Sequence, residues 1–179
     1  MATLPSIQQL NHETSENFIE VVNTLFETAP PLADRLLAAR PFQSYFQLID
    51  YAQKICLSNE LSYNDKLDII NAHPRIGAGK ANLSAASLKE QGYNTRQGAL
   101  SKEDEAINEK LAQVNKQYED KYGHKFVVFV AGRPRAAIIP LIEERIAANN
   151  PEQEMKTGMV DMMRIARDRL IKASVNSKL

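Results

Sequence analysis

The sequence has no tryptophan and a single cysteine. One thiol excludes an internal disulfide framework, so stability must come from burial. Cys56 lies in the apolar run LIDYAQKICL, where a buried, inert thiol is expected rather than a nucleophile, in a compartment that is reducing or indifferent. Neither sign of charge is in excess: Lys plus Arg and Asp plus Glu number 22 each. Without a basic field to hold a phosphate backbone, nucleic acid is not expected as a partner. Apolar runs long enough to cross a bilayer, about 18 residues, are missing, and the start MATLPSIQQLNHE lacks the basic and apolar segments of a secretory leader. No membrane association is expected. The three histidines, His12, His73 and His124, are far apart and lack a paired spacing, so no metal site is expected. A phosphate-binding loop is excluded too. GAGK would need a glycine where Pro74 stands and Ser or Thr where Ala81 stands.

What is present is ordinary for a folded domain. With 179 residues, 44% hydrophobic and 25% charged, and no repeat or low-complexity segment, the chain can bury roughly two thirds of its unfolded surface. Helical spacing recurs along it. Phe18, Val22 and Leu25 share a face in 16–28, which ends before Pro30 and Pro31; Tyr45, Leu48, Ala52 and Ile55 share another, with Pro41 expected in its first turn. Ser101 and Asp104 form a capping-box pattern ahead of Ile107, Leu111, Val114, Tyr118 and Tyr122, and Gly123 stops that helix. KFVVFVAG has strand-like composition but no partner strand, and is read as a short extended, buried link. Pro140 marks a kink or restart, and a last helix runs from near Pro151 to about Ala173. The expected fold is all-α: one compact domain over 5–173, roughly eight helices with that extended link, followed by a flexible tail at 174–179.

Three features could carry chemistry. The helix SYNDKLDIINA must stop at His73, because a residue before proline is pushed out of the helical region. The imidazole then sits at a helix C-terminus, where the macrodipole favours the protonated form; a plain helix cap is the other reading. Gly77 and Gly79 let the backbone after it pass close to something. If Ser84 caps a short helix, Ser87, Glu90 and Gln91 share one face and offer a hydroxyl, a carboxylate and an amide, or else a solvated surface. In the last helix Met155, Met159, Met162, Ala166, Leu170 and Ala173 form a stripe with Arg169 at its edge, while Arg164 and Arg167 fall well away. An inward guanidinium needs an anion, either an internal carboxylate such as Glu90 or one on a ligand.

HPRIG, LSAASLKEQG, KFVVFVAGR and RIARDRL, in this order and at these separations, resemble the 2-oxo-4-hydroxy-4-carboxy-5-ureidoimidazoline (OHCU) decarboxylases of urate degradation. LFETAPPLADRLLAARPF also resembles that family's N-terminal Phe-Glu-x-Ser/Ala-Pro pattern, although Ala29, Pro30 and Pro31 stand where the family often has Ser, Pro and Trp. The resemblance implies an all-helical enzyme without cofactor or metal, often a homodimer, that converts OHCU to (S)-allantoin and CO2. By position it makes His73, Glu90 and Arg169 catalytic. It assigns substrate binding to Pro74, to Ser87, Leu88, Lys89, Glu90 and Gln91, and to the backbone of Phe126, Val127, Val128, Phe129 and Val130. Two other readings keep the fold: a non-catalytic helical binding module, and a lyase or hydrolase for a related ureido compound. Ser177, Lys178 and Leu179 match the address read by the peroxisomal import receptor, so the peroxisome is the expected compartment.

Overall fold

Side-chain caps open most of the helices. In the computed structural model, which describes residues 4–78, 82–93 and 101–176, with side chains as far as Ala173, Ser6, Thr14, Ser44, Ser62, Ser84 and Ser101 each accept a backbone N–H of the first helical turn. Such caps are worth about 1 kcal/mol each. The helices are α1 (Ile7–His12), α2 (Ser15–Phe26), α3 (Pro30–Ala38), α4 (Tyr45–Leu57), α5 (Tyr63–Ala72), α6 (Ala85–Glu90), α7 (Lys102–Tyr122), α8 (Ile139–Ala148) and α9 (Pro151–Asn176). No strand occurs among the described residues, so the domain is all-α as expected. Gly79, Lys80, Ala81 and the terminal Ser177 to Leu179 lie outside the described residues.

Helix α2 ends before Pro30 and Pro31 as expected, and these two prolines form the first turn of α3, where the missing N–H costs nothing. One expectation about proline needs correction. Pro41 is not in the first turn of α4. It follows a cis peptide bond after Arg40, and α4 starts at Tyr45 behind the Ser44 cap. Pro140 does mark a restart, since a 3-10 turn at Arg135–Ile138 gives way to α8 with proline in its first turn. The last helix runs to Asn176, past the expected end near Ala173.

The residues fall into two compact units, one made of those up to His73 with those from Met159 onward, the other of Pro74–Gly158. In the first, α3 packs on α2, α4 and α5. Phe18, Val22, Leu25 and Phe26 of α2, Leu32 and Leu36 of α3, Leu48, Ile49 and Ala52 of α4, Ile69 and Ile70 of α5, and Met162, Met163 and Ala166 of α9 are buried. Cys56 is buried among these elements, and burial pushes its thiol up to about 12. A thiolate is scarce at neutral pH, which makes the group inert.

In the second unit α7 packs on α8, and its buried face of Leu111, Val114, Tyr118 and Tyr122 gathers Phe126, Val128 and Val130 with Ile138 and Ile142. Residues 125–130 carry no regular secondary structure, and Phe126, Val127, Val128 and Val130 are buried, which accounts for strand-like composition without a sheet. A polar cluster holds this link. Arg145 Nε donates to Glu154 Oε2 at 2.6 Å, Tyr118 donates to the same oxygen at 2.8 Å, and Arg145 Nη1 reaches the Val127 carbonyl at 3.3 Å. Breaking a buried pair of this kind by removing one partner costs about 3–5 kcal/mol.

His124 sits beside that cluster, edge-on to Tyr118. Its Nδ1 lies 3.0 Å from the Lys125 carbonyl, which can only accept, so Nδ1 carries the proton. Nε2 is buried without a hydrogen-bond partner. Burial is the main cause that lowers the His124 pKa below its ordinary value of 6.5, against weaker upward pulls from the Lys125 carbonyl and Glu154. The folded protein therefore binds fewer protons here than the unfolded chain, and the stability tied to neutral His124 is present above pH 6.5 and is lost as pH falls from there toward the folded value. Melting temperature should drop between roughly pH 7 and 5, and His124→Phe should flatten that slope. An equal slope in the variant would assign the effect to other groups.

Candidate functional site

The C-terminal end of α2 is where two of the three residues expected to be catalytic meet. A helix leaves its last carbonyls without intrahelical donors. In α2 the last regular bond runs from Glu27 N–H to the Asn23 carbonyl at 2.8 Å, and the next three carbonyls are taken by side chains from far along the chain. Arg169 Nη1 lies 3.4 Å from the Thr24 oxygen and 3.3 Å from that of Leu25, and His73 Nδ1 lies 3.2 Å from the Phe26 oxygen. Both side chains belong to well-buried residues, His73 at 5% exposure and Arg169 at 8%.

The local causes are visible in the sequence. His73 ends α5 with φ −68° and ψ 139°, the extended conformation that Pro74 imposes. Its ring is thereby turned off its own helix and onto the end of another. Because a carbonyl only accepts, the contact with Phe26 puts the ring proton on Nδ1 of the neutral imidazole. Nε2 is then the nitrogen at which a proton can be taken up and released. Arg169 has the phase its stripe requires: Met159, Met162, Ala166 and Leu170, the stripe residues of the same unit as far as Leu170, are buried. Arg164 is exposed and pairs with Asp161, and Arg167 bonds Asp50 and Gln53. Arg169 Nη2 meets the carboxylate of Glu27 at 2.7 Å. The sequence left open an internal carboxylate such as Glu90 or one on a ligand, and sequence reasoning missed Glu27. The available signal was the Phe26-Glu27 step of the N-terminal motif.

The other unit holds Ser87, Leu88, Lys89, Glu90 and Gln91. Ser84 caps α6 as the spacing requires, and Ser87 and Gln91 are buried, Leu88 and Glu90 half-buried and Lys89 exposed. Gln91 clamps the segment that follows the histidine: its Oε1 accepts the Gly77 N–H at 2.8 Å and its Nε2 donates to the Arg75 carbonyl at 3.2 Å. Asn115 donates to the Ile76 carbonyl and Tyr93 to that of Ala78. Half-buried Pro74 opens this segment. Gly77 has φ +76°, and a Cβ there would meet Leu111 Cβ at 2.9 Å, so the close neighbour that demands glycine is helix α7. Arg135, stacked 4.0 Å over the Tyr93 ring, reaches the Gln91 carbonyl at 3.4 Å.

Of the extended link, Phe126, Val127, Val128 and Val130 are buried and Phe129 is half-buried. The Val127 carbonyl accepts from Arg145, and those of Phe129 and Val130 accept from Arg133. The link's backbone is thus fixed by two arginines from outside it. No group of three or more His, Cys, Asp or Glu side chains with metal-binding geometry occurs among the described residues.

A family model described as OHCU decarboxylase matches residues 11–171. A 2-oxo-4-hydroxy-4-carboxy-5-ureidoimidazoline decarboxylase of Haloferax volcanii is 26% identical over 92% of this chain and 94% of its own length. A uric acid degradation bifunctional protein of Bacillus sp. (strain TB-90) is 30% identical over 92% of this chain. The chain spans about a third of that protein, 31% of its length, and about as much of a similar bifunctional protein of Bacillus subtilis, 32%. Among solved structures, a crystal structure of OHCU decarboxylase in the presence of (S)-allantoin superposes with a TM-score of 0.64 at 21% identity, covering 92% of this chain and 99% of the other. That likeness bears on the fold.

Proposed function

Because the chain belongs to the OHCU decarboxylase family, we propose that it removes the carboxylate of OHCU to give (S)-allantoin and CO2 in urate degradation. The observation that carries this reading is the extent of the family match, residues 11–171, which takes in every residue named for the site. OHCU bears a carboxylate and a hydroxyl on one ring carbon beside a C=N bond. When the bond to the carboxylate breaks, its electron pair forms a ring C=C bond, the C=N pair moves to nitrogen, and nitrogen takes a proton. The resulting enol then gives up its hydroxyl proton and becomes a carbonyl as the adjacent carbon accepts a proton. The substrate is its own electron sink, so the protein needs to supply positioning and proton delivery.

The family resemblance supports the roles of the residues. Arg169 orients an anionic part of the substrate through its planar fork. Glu90, with His73, engages the hydroxyl. His73, its Nδ1 tied to Phe26, handles the proton at Nε2. Ser87, Gln91 and the backbone of the 126–130 link supply hydrogen-bonding and apolar contacts to the ring and ureido groups. OHCU generated fresh from urate with uricase and hydroxyisourate hydrolase should release CO2 faster with the protein than without it. Equal rates would refute the assignment.

The family resemblance also supports a homodimer, and the terminal Ser177, Lys178 and Leu179 support recognition by the peroxisomal import receptor and residence in the peroxisome. Deleting these three residues should abolish import of a fluorescent fusion and leave turnover unchanged. Import of the truncated protein in cells that lack the intact chain would contradict the address.

A further inference from the structure

The site roles above leave Glu27 unexplained. It has a left-handed backbone, φ 47° and ψ 53°, a conformation that ordinary side chains adopt at a cost and glycine adopts freely. The position is a helix C-cap, where glycine would be the usual choice. Glutamate here brings a carboxylate whose oxygen lies 2.7 Å from Arg169 Nη2, with the two side chains only 18% and 7% exposed. Three further contacts converge on the same end of α2, from Arg169 to the Thr24 and Leu25 carbonyls and from His73 to that of Phe26.

We infer that Glu27 is a positioning residue: its carboxylate fixes one arm of the Arg169 fork while the final carbonyls of α2 fix the other, so that the end of α2 orients the substrate-binding arginine beside the proton-handling histidine. The inference rests on the OHCU reading, which gives Arg169 and His73 their roles. A guanidinium is planar, so anchoring Nη1 to the helix end and Nη2 to a carboxylate sets the plane of the whole group. The negative end of the helix dipole adds to the hold on the cation. Glu27 also offsets the charge of Arg169 before substrate arrives, which limits how tightly an anion is bound in the ground state while leaving the orientation intact.

That balance gives a signature that packing alone would not. Glu27→Gln keeps the length and an acceptor oxygen but removes the charge. Its kcat should fall about tenfold or more through loss of orientation, while KM stays level or falls, because the uncompensated cation holds the anionic substrate at least as tightly. Glu27→Gly relieves the left-handed backbone, which offsets only part of the cost of losing the ion pair with Arg169, and it should also lose kcat. In an Arg169→Lys background, Glu27→Gln should add little, since both changes act on one interaction. Wild-type turnover is measured first. An inactive wild type overturns the assigned reaction and this inference with it. An active wild type combined with a folded Glu27→Gln of unchanged kcat, a raised KM at constant kcat, or full additivity with Arg169→Lys overturns the inference alone.

Discussion

His73→Asn is expected to fold like the wild type and to decarboxylate OHCU more slowly by something on the order of 10²-fold or more. Asparagine suits the test because its amide N–H can still donate to the Phe26 carbonyl that Nδ1 reaches at 3.2 Å. What it cannot replace is Nε2, the nitrogen that takes up and releases a proton. Position 73 lies at the end of α5 in an extended conformation, so the substitution asks nothing new of the backbone. Matching melting curves with lost turnover would mean that the imidazole carries chemistry. Unchanged turnover would reduce His73 to a tether between α5 and the end of α2.

The second large effect is expected in the last helix. Arg169→Lys should lower turnover on the order of 10²-fold, because an ammonium is a point charge that cannot hold Glu27, the α2 carbonyls and an anionic substrate in one plane. Arg164→Lys and Arg167→Lys should be nearly neutral. Arg164 is exposed and pairs with Asp161 within its own helix, and Arg167 bonds Asp50 and Gln53, where a lysine can still reach a carboxylate. Turnover of the three lysine variants, each shown to be folded, is the comparison to make. A sensitive Arg164 or Arg167 would refute the alignment of RIARDRL with the family motif.

The reach of the sequence differs from element to element. Helix α7 was legible because its cap, apolar face and terminal glycine agree, and the inward aim of Arg169 followed from phase alone. Helix α3 was missed because a Pro-Pro step reads as a helix stop as readily as a first turn, and α2 has already ended at Phe26 when Pro30 opens α3. Helix α1 has six residues, too few to show a period. Contacts across long separations were out of reach. Glu27 and Arg169 are 142 residues apart and His73 and Phe26 are 47 apart, and helical spacing carries no information about which distant carbonyls a side chain will cap. The same holds for Gln91, whose polar pattern suggested ligand contact and whose amide also clamps the backbone after His73.

The stereochemistry of the product tests the central claim most directly. In free solution the planar enol accepts its proton from either face and gives both allantoin enantiomers equally, whereas a protein that decarboxylates OHCU and delivers the proton from one fixed group gives one. Urate treated with uricase and hydroxyisourate hydrolase should develop, only when this protein is added, the circular dichroism of (S)-allantoin in proportion to the substrate consumed. A product without circular dichroism, formed at the same rate with and without the protein, would contradict the account.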